Sequence, residues 1–359
     1  MVVILAACGA PAPGVDAGPE APPDAGSQAD AGLEPDAGLT PDAGTSADAG
    51  APLDAGSADA GHPTDAGLTL AARAAAARTT ALTHPLCDAI EPFYWEIGDV
   101  DGGLASGQRG LQFGADTDVA IASASKWVFG AYAVERNKAA LAQLDVNALT
   151  MRAGYSSFTS CAGTSTVAQC QMSGTNGVLT PANVGRFDYG GGHFQKYAVD
   201  LGLGAMDNAA LEAEFATVLG VGVGSELGFN SPQLAGGMHG SATSYARFLR
   251  KILSGELAIK QQLGVNAACT QRSLACPGAL GSPAPEAFHY SYGHWVEDDP
   301  TTGDGAFSSA GAFGFYPWID ATRTLYGVLS RRQLAPGAGA DSVSCGRLIR
   351  KAFVTGVSP

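Results

Sequence analysis

The chain has 359 residues, of which 46% are hydrophobic, and its formal net charge at pH 7 is −14. Residues 1–72 contain eleven acidic side chains and neither lysine nor arginine, which leaves a charge of −3 for the rest of the chain. Nucleic-acid binding requires a basic surface, so this charge distribution argues against nucleic acid as a partner.

The first eight residues, MVVILAAC, look like the end of a bacterial lipoprotein signal, in which the cysteine is lipidated. On this interpretation residues 1–8 are a truncated signal and Cys8 is the lipidation site. The charged and long apolar parts of such a signal are missing, so a lone cysteine in a frayed terminus remains the alternative. No later segment has eighteen consecutive apolar residues, and Cys8 is therefore the only membrane attachment that the sequence predicts.

Residues 9–68 form a low-complexity segment in which the tripeptide Asp-Ala-Gly occurs nine times. The segment has almost no large apolar side chains, so it cannot offset the entropy of ordering its backbone. A solenoid is the alternative, but solenoid repeats carry a bulky inward-facing residue that these repeats lack. We predict a disordered acidic linker, followed by one folded domain over residues 70–359.

The cysteines of the folded part are even in number, which favours disulfides in an exported protein. Short loops favour the pairs Cys161–Cys170 and Cys269–Cys276, which leaves Cys87 and Cys345. A zinc site is the alternative, but the sequence contains no C-x-x-C and its histidines are scattered. We therefore predict no metal and no cofactor.

The order of the predicted elements favours an α+β fold. Aromatic and β-branched residues interrupted by Asp-Gly-Gly predict a hairpin over residues 91–110, and the apolar run from residue 123 predicts a buried helix. Residues 139–300 read as mostly helical, with the clearest helix starting near Ser241 and closed by Gly255. Two strands are predicted over residues 311–330 and a terminal helix over 344–353. A cleft is expected where the sheet meets the helical region.

The start of the buried helix carries a serine and a lysine three residues apart, Ser123 and Lys126. Positions i and i+3 share a helix face, so a lysine amine made neutral by burial could accept the serine proton. The positive end of the helix dipole would stabilise negative charge at the same place. The alternative interpretation is a helix-capping serine followed by a lysine whose ammonium group reaches water, while Ser125 is read as structural.

Five segments around this pair resemble, in order, the class C β-lactamases and the related D,D-peptidases and esterases. The run TDVAIASASKWVFGAYAVER (117–136) resembles the region around the family's nucleophile, and FDYGGGHFQKYAVDLG (187–202) resembles its second motif. Weaker matches are AGGMHGSATSYARFLRKIL (235–253), HYSYGHWVE (289–297), which resembles the family's aromatic strand before the third motif, and SSAGAFGFYPWID (308–320), which falls where that third motif is expected. The resemblance implies a β-lactamase/D,D-peptidase-like fold, with an antiparallel sheet flanked by helices and a mostly helical inserted region.

The resemblance also implies roles for individual residues. Ser123 would be the nucleophile, and Lys126 and Tyr189 would carry its proton, with Tyr155 the next candidate for the tyrosine. The backbone N–H groups of Ser123 and Ala312 would form the oxyanion hole. The residues implied in substrate binding are Ser309 and Gly311.

Two positions depart from the family pattern, because Gly191 stands where an asparagine is expected and Ser309 where a cationic or imidazole side chain is expected. These departures favour a protein of weak activity, whereas the retention of Ser123, Lys126 and Tyr189 favours an enzyme, and we expect a serine acyl hydrolase that acts on a small ester, an amide, a β-lactam or a D-Ala peptide. The alternative is a catalytically weak cell-envelope lipoprotein that binds peptidoglycan peptide or another ligand. The expected location is the bacterial cell envelope or the medium, and the expected state is a monomer.

Overall fold

The structure of the protein is a computed structural model that describes residues 67–220 and 227–359. The lipoprotein-type signal, the lipidation site Cys8 and all but the last two residues of the repeat linker lie outside the described residues. Among the residues that are described, no helix is both long and apolar enough to cross a membrane.

An antiparallel sheet of eight strands forms the centre of the described domain. The strands of this sheet are β1 (Phe93–Gly98), β2 (Gly103–Arg109), β6 (Ala268–Cys269), β7 (His289–Tyr290), β8 (Trp295–Val296), β9 (Phe307–Ser308), β10 (Tyr316–Ile319) and β11 (Tyr326–Ser330). Their order across the sheet is β2-β1-β11-β10-β9-β8-β7-β6. The predicted hairpin is confirmed as β1 and β2, and the two strands predicted near the C-terminus are confirmed as β10 and β11.

Helices cover both faces of this sheet, so strands β10 and β11 are buried on both sides, whereas the edge strand β2 is partly exposed. Along β11, Leu329 packs towards the first and last helices, whereas Val328 packs towards the middle of the chain, as the alternation of side chains along a strand requires. The helices are α1 (Leu70–Thr83), α2 (Pro85–Asp88), α3 (Ser125–Arg136), α4 (Gln143–Leu149), α5 (Val167–Met172), α6 (Gly192–Asp200), α7 (Asn208–Leu219), α8 (Ala242–Ser254), α9 (Ile259–Gln262) and α10 (Ala338–Thr355).

The middle of the chain is less helical than the sequence predicted. A small antiparallel sheet, in the order β3-β5-β4, joins β3 (Val119–Ala120), β4 (Leu227–Phe229) and β5 (Met238–Gly240) within the described residues. Strands β6, β7 and β8 come from the region expected to be mostly helical and extend the main sheet, although β7 and β8 fall in residues 289–297, which resemble the family's aromatic strand. These strands are two residues long, too short to show an alternating pattern in the sequence.

Helix α8 confirms the prediction made from its periodicity. Gly255 ends the helix in a left-handed conformation with φ of +83°. The apolar side chains that the periodicity places on one face are all buried, namely Tyr245, Phe248, Leu249, Ile252 and Leu253. The ends of the chain's other helices were harder to predict. Helix α10 extends well beyond the predicted segment, and the alanine-rich lead-in forms α1, capped by the hydroxyl of Thr69.

The predicted disulfides are confirmed, and the described residues contain three of them. Cys161–Cys170 and Cys269–Cys276 close short loops, whereas Cys87–Cys345 joins α2 to α10 across 258 residues of sequence. A link that closes so long a loop limits the unfolded chain most, so it ties the first helices to the last.

Candidate active site

A strained turn presents Ser123 at the start of α3. A short 3-10 turn, Ala122–Ala124, precedes the helix, and Ala122 adopts a left-handed conformation with φ of +46°. This conformation costs a residue with a Cβ about 1 kcal/mol, and such strain is found most often at functional sites. The buried hydroxyl of Ser125 holds the turn, since it donates to the Ala122 carbonyl at 2.6 Å and accepts from the Met238 N–H at 3.2 Å. These bonds agree with a structural role for Ser125.

The lysine lies against the serine and away from water. Nζ of Lys126 is 2.9 Å from Oγ of Ser123, and it donates a hydrogen bond to the Ala235 carbonyl at 2.7 Å. Only 4% of Lys126 is exposed, and burial lowers the pKa of its amine from 10.5 to about 7. The interpretation of Lys126 as a side chain that reaches solvent is therefore wrong, and a large share of its amine is neutral at physiological pH.

Tyr189 approaches the same pair from the loop before α6. Its ring centroid is 4.9 Å from Nζ of Lys126, and its ring stacks on Trp295 at 5.5 Å. Burial raises the pKa of the Tyr189 phenol to about 12, while a hydrogen bond with Ser123 acts in the opposite direction. The phenol is therefore protonated at neutral pH, and of these two side chains Lys126 is the better base.

A buried histidine fixes the backbone next to Tyr189. His193 accepts from the Ala153 N–H through Nδ1 at 3.2 Å, so its Nε2 carries the proton and donates to the Asp188 carbonyl at 2.9 Å. Burial lowers the pKa of His193 to about 4, so the ring stays neutral and keeps both bonds. Tyr155, the other candidate, lies beside Lys196 of α6, with Nζ 5.8 Å from its ring centroid.

A phenylalanine explains why the expected asparagine is absent at position 191. The ring of Phe158 fills the space beside Gly191, so a Cβ at this position would lie 2.9 Å from two of its carbons. An asparagine would have to displace that ring. The space that a side chain at position 191 would need is therefore filled by an aromatic ring.

The segment after β9 runs close beside the nucleophile. A Cβ on Gly311 would lie 2.2 Å from the Ile121 carbonyl oxygen, so only glycine permits this approach. Ala312 follows on the same segment and, with Ser123 and Gly311, lines one cavity. The structure thus brings the two predicted oxyanion-hole residues to the same cavity.

The resemblance implied that Ser309 binds substrate, but its hydroxyl contacts backbone carbonyl oxygens. It is 3% exposed, and its hydroxyl donates to the Ser123 carbonyl at 3.1 Å and to the Gly293 carbonyl at 3.3 Å. Its neighbours Ser308 and Ala310 line the cavity, but Ser309 does not appear among the described lining residues. These bonds support a positioning role for Ser309 and not the predicted contact with substrate.

Several contributors to the site were not predicted from the sequence. The Ala235 carbonyl binds Lys126, but a backbone oxygen carries no signature of residue type. The cavity, of about 370 Å³, is also lined by Glu286, Phe288 and Trp295, which come from the part of the chain that follows the Cys269–Cys276 loop and includes the start of β8. An aromatic strand was predicted there, but only the folded chain shows that it faces Ser123.

The eight-stranded antiparallel sheet, its flanking helices and the Ser123–Lys126–Tyr189 cluster define the class. The chain has the fold shared by serine β-lactamases, penicillin-binding proteins and related esterases, as the sequence resemblance implied.

Comparison with solved structures supports this assignment of the fold. A candidate β-lactamase from Bacteroides dorei is 20% identical, with a TM-score of 0.58 over 74% of this chain and 95% of that one. EstCE1, a hydrolase with promiscuous acyltransferase activity, is 12% identical, with a TM-score of 0.58 over 79% and 99%. A penicillin-binding protein homologue from Caulobacter crescentus is 15% identical, with a TM-score of 0.55 over 78% and 97%. No protein-family model and no curated protein matches the chain.

Proposed function

We propose that the protein is a serine acyl hydrolase that forms an acyl-enzyme on Ser123 and acts on a small ester or amide. The observation that carries the proposal is the contact of 2.9 Å between Ser123 Oγ and a buried lysine amine whose pKa is about 7. A structural lysine would be expected to keep its charge paired or in water, whereas a base needs a pKa near the working pH.

The reaction follows from these positions. Neutral Lys126 takes the proton of Ser123 as Oγ bonds to the substrate carbonyl carbon, and the carbonyl π electrons move to oxygen. The N–H groups of Ser123 and Ala312 stabilise this oxyanion. As the oxyanion collapses, the bond to the alcohol or amine breaks, and the leaving group receives the proton through Lys126 and Tyr189. Water then attacks the acyl-enzyme in the same way, which releases the acid and restores the Ser123 hydroxyl.

The lining of the cavity narrows the choice of substrate. Among the described residues that line it there is no lysine, arginine or histidine, although Lys126 lies next to it. A substrate carboxylate, as in a penicillin or a D-Ala peptide, would have no charged partner on this lining. This favours an ester or amide without a carboxylate, and it counts equally against the alternative of peptidoglycan-peptide binding.

The disulfides support an exported protein, because such bonds persist in oxidising compartments. We extend the proposal to a location in the cell envelope or the medium. Attachment through Cys8 remains a prediction from the sequence.

Covalent labelling tests the proposal directly. A fluorescent fluorophosphonate should label the wild-type protein, mass spectrometry should locate the adduct on Ser123, and Ser123→Ala should abolish both labelling and hydrolysis of p-nitrophenyl acetate. Ser241→Ala, which removes a serine at the start of α8, should keep both. Labelling that persists in Ser123→Ala would refute the proposal.

A further inference from the structure

The cavity beside Ser123 combines aromatic rings with carboxylates. Among the described residues that line it, the aromatic side chains are Tyr189, Phe288 and Trp295, and the acidic ones are Glu286 and Glu297. We propose that this cavity binds a cationic group, an ammonium or quaternary ammonium, on the ester or amide that Ser123 attacks. This inference rests on the proposed function and specifies its substrate class.

The acidic side chains differ in what they can offer a ligand. Glu297 is almost fully buried and accepts a hydrogen bond from Arg350 at 2.7 Å, so its charge is already paired. The side chain of Glu286 is 27% exposed, and its ion pair within the described residues is with Arg347 at 3.5 Å, a loose contact. Glu286 is therefore the carboxylate with capacity to meet a cation in the cavity.

The charges around this wall do not cancel. Arg350 also pairs with Asp304 at 2.8 Å, so three carboxylates share two guanidinium groups in this cluster. One negative charge remains within this cluster, and Glu286 is the member that, with only a loose partner, lines the cavity, where electrostatic attraction is stronger than in water. A positive group on a substrate would be attracted to this wall, and a carboxylate would be repelled.

The aromatic rings add a second attraction for the same charge. Cationic side chains of the protein itself lie against two of these rings, since the guanidinium of Arg347 is 5.5 Å from the ring centroid of Phe288 and Nζ of Lys126 is 4.9 Å from that of Tyr189. The face of an aromatic ring attracts cations, and quaternary ammonium groups are the ligands that combinations of such rings typically bind. The rings and Glu286 thus both favour a ligand that carries an ammonium or quaternary ammonium group.

Pairs of substrates that differ only in charge test the inference. For the acyl side, the p-nitrophenyl ester of 4-(trimethylammonio)butanoate is compared with that of 5,5-dimethylhexanoate, its uncharged isostere, and with mono-p-nitrophenyl adipate. For the alcohol side, butyrylcholine is compared with 3,3-dimethylbutyl butyrate. The kcat/KM of each is measured at pH 8, where Lys126 is mostly neutral, and divided by the rate of uncatalysed hydrolysis.

We expect the cationic member of at least one pair to be preferred by about tenfold or more, and the adipate ester to be the poorest acyl donor. Glu286→Gln should reduce the cation preference several-fold. Glu256→Gln, which removes the same charge from an exposed position, should leave the preference unchanged.

The outcomes separate this inference from the proposed function. Hydrolysis that depends on Ser123 but shows no cation preference in either pair, or a preference that Glu286→Gln and Glu256→Gln alter equally, would overturn the inference alone. Absence of Ser123-dependent hydrolysis and labelling with every substrate would overturn the proposed function as well.

Discussion

The starts of α3 and α8 look alike in sequence and differ in structure. Ser241 caps α8, because its hydroxyl accepts from the Ser244 N–H at 3.1 Å while the Ser244 hydroxyl accepts from the Ser241 N–H at 2.8 Å. Ser123 lies on the 3-10 turn before α3, and its hydroxyl meets the amine of Lys126. The interpretation of a capping serine, considered for Ser123, is correct for Ser241.

The two helices also differ in what they bury. Helix α8 buries an apolar face, whereas α3 is buried on all sides from Ser125 to Val134 and takes a lysine with it. Burying an amine lowers the stability of the folded state, so a buried lysine is expected where it serves a function that offsets this loss. The comparison agrees with a packing role for α8 and with the catalytic role that we propose for the start of α3.

The largest expected effect is on acylation at the start of α3. Lys126→Met keeps the apolar stem but removes the base, and should slow fluorophosphonate labelling about a hundredfold or more.

The pH dependence of the wild-type rate should show the same amine. Only the neutral amine accepts a proton, so the labelling rate should fall about tenfold for each pH unit below the Lys126 pKa of about 7. Labelling rates between pH 5 and 9 measure both effects.

The matched control is Lys196→Met, which removes a partly exposed amine on α6 that pairs with Asp200. It should leave the rate and its pH dependence unchanged. A Lys126→Met protein that acylates at the wild-type rate would contradict the role of this lysine.

Lys126→Met should lower the acylation rate but raise the free energy of unfolding. The pKa of Lys126 is 10.5 in the unfolded chain and about 7 in the folded one, so the unfolded state binds more protons between these values. Wild-type stability should therefore rise with pH across this range, by about 3 kcal/mol between pH 6.5 and 9.5 from this residue alone. Lys126→Met should remove that contribution and be more stable than the wild type at pH 6.5.

Urea unfolding of both proteins at the two pH values, with the disulfides kept oxidised, measures the difference. The Lys196→Met protein again provides the reference for losing an amine that is not buried. Parallel pH dependence in the wild type and Lys126→Met would show that the burial of Lys126 has no cost.

The smallest expected effect compares the two serines as helix caps. Ser241→Ala should lower the free energy of unfolding by about 1 kcal/mol, the usual cost of losing a cap. Ser123→Ala should change it by less than about 0.5 kcal/mol, because Ser123 makes no capping bond. The two urea midpoints measured side by side test this, and equal losses would mean that Ser123 does support its helix.

Periodicity predicted the elements whose signal is local. The face of α8, the β1–β2 hairpin and the β10–β11 pair were predicted because each carries a complete pattern within its own residues. Periodicity did not show β6, β7 and β8, since a strand of two residues is defined by its partners in the sheet, and only the family resemblance of residues 289–297 pointed to a strand at β7 and β8. The loop disulfides were predictable for a similar reason, as their cysteines are close in sequence.

Residue types and spacing suggested the serine three residues before a lysine, and the resemblance of the surrounding segments to the β-lactamase family added Tyr189. The tertiary structure decided which of these residues meet and with what properties. It buried Lys126 and so lowered its pKa, turned the Ser309 hydroxyl to the Ser123 carbonyl, and placed Phe158 where an asparagine was expected. It also brought Glu286 and the aromatic rings to Ser123. Burial and electrostatic environment depend on residues distant in sequence, so no local pattern records them.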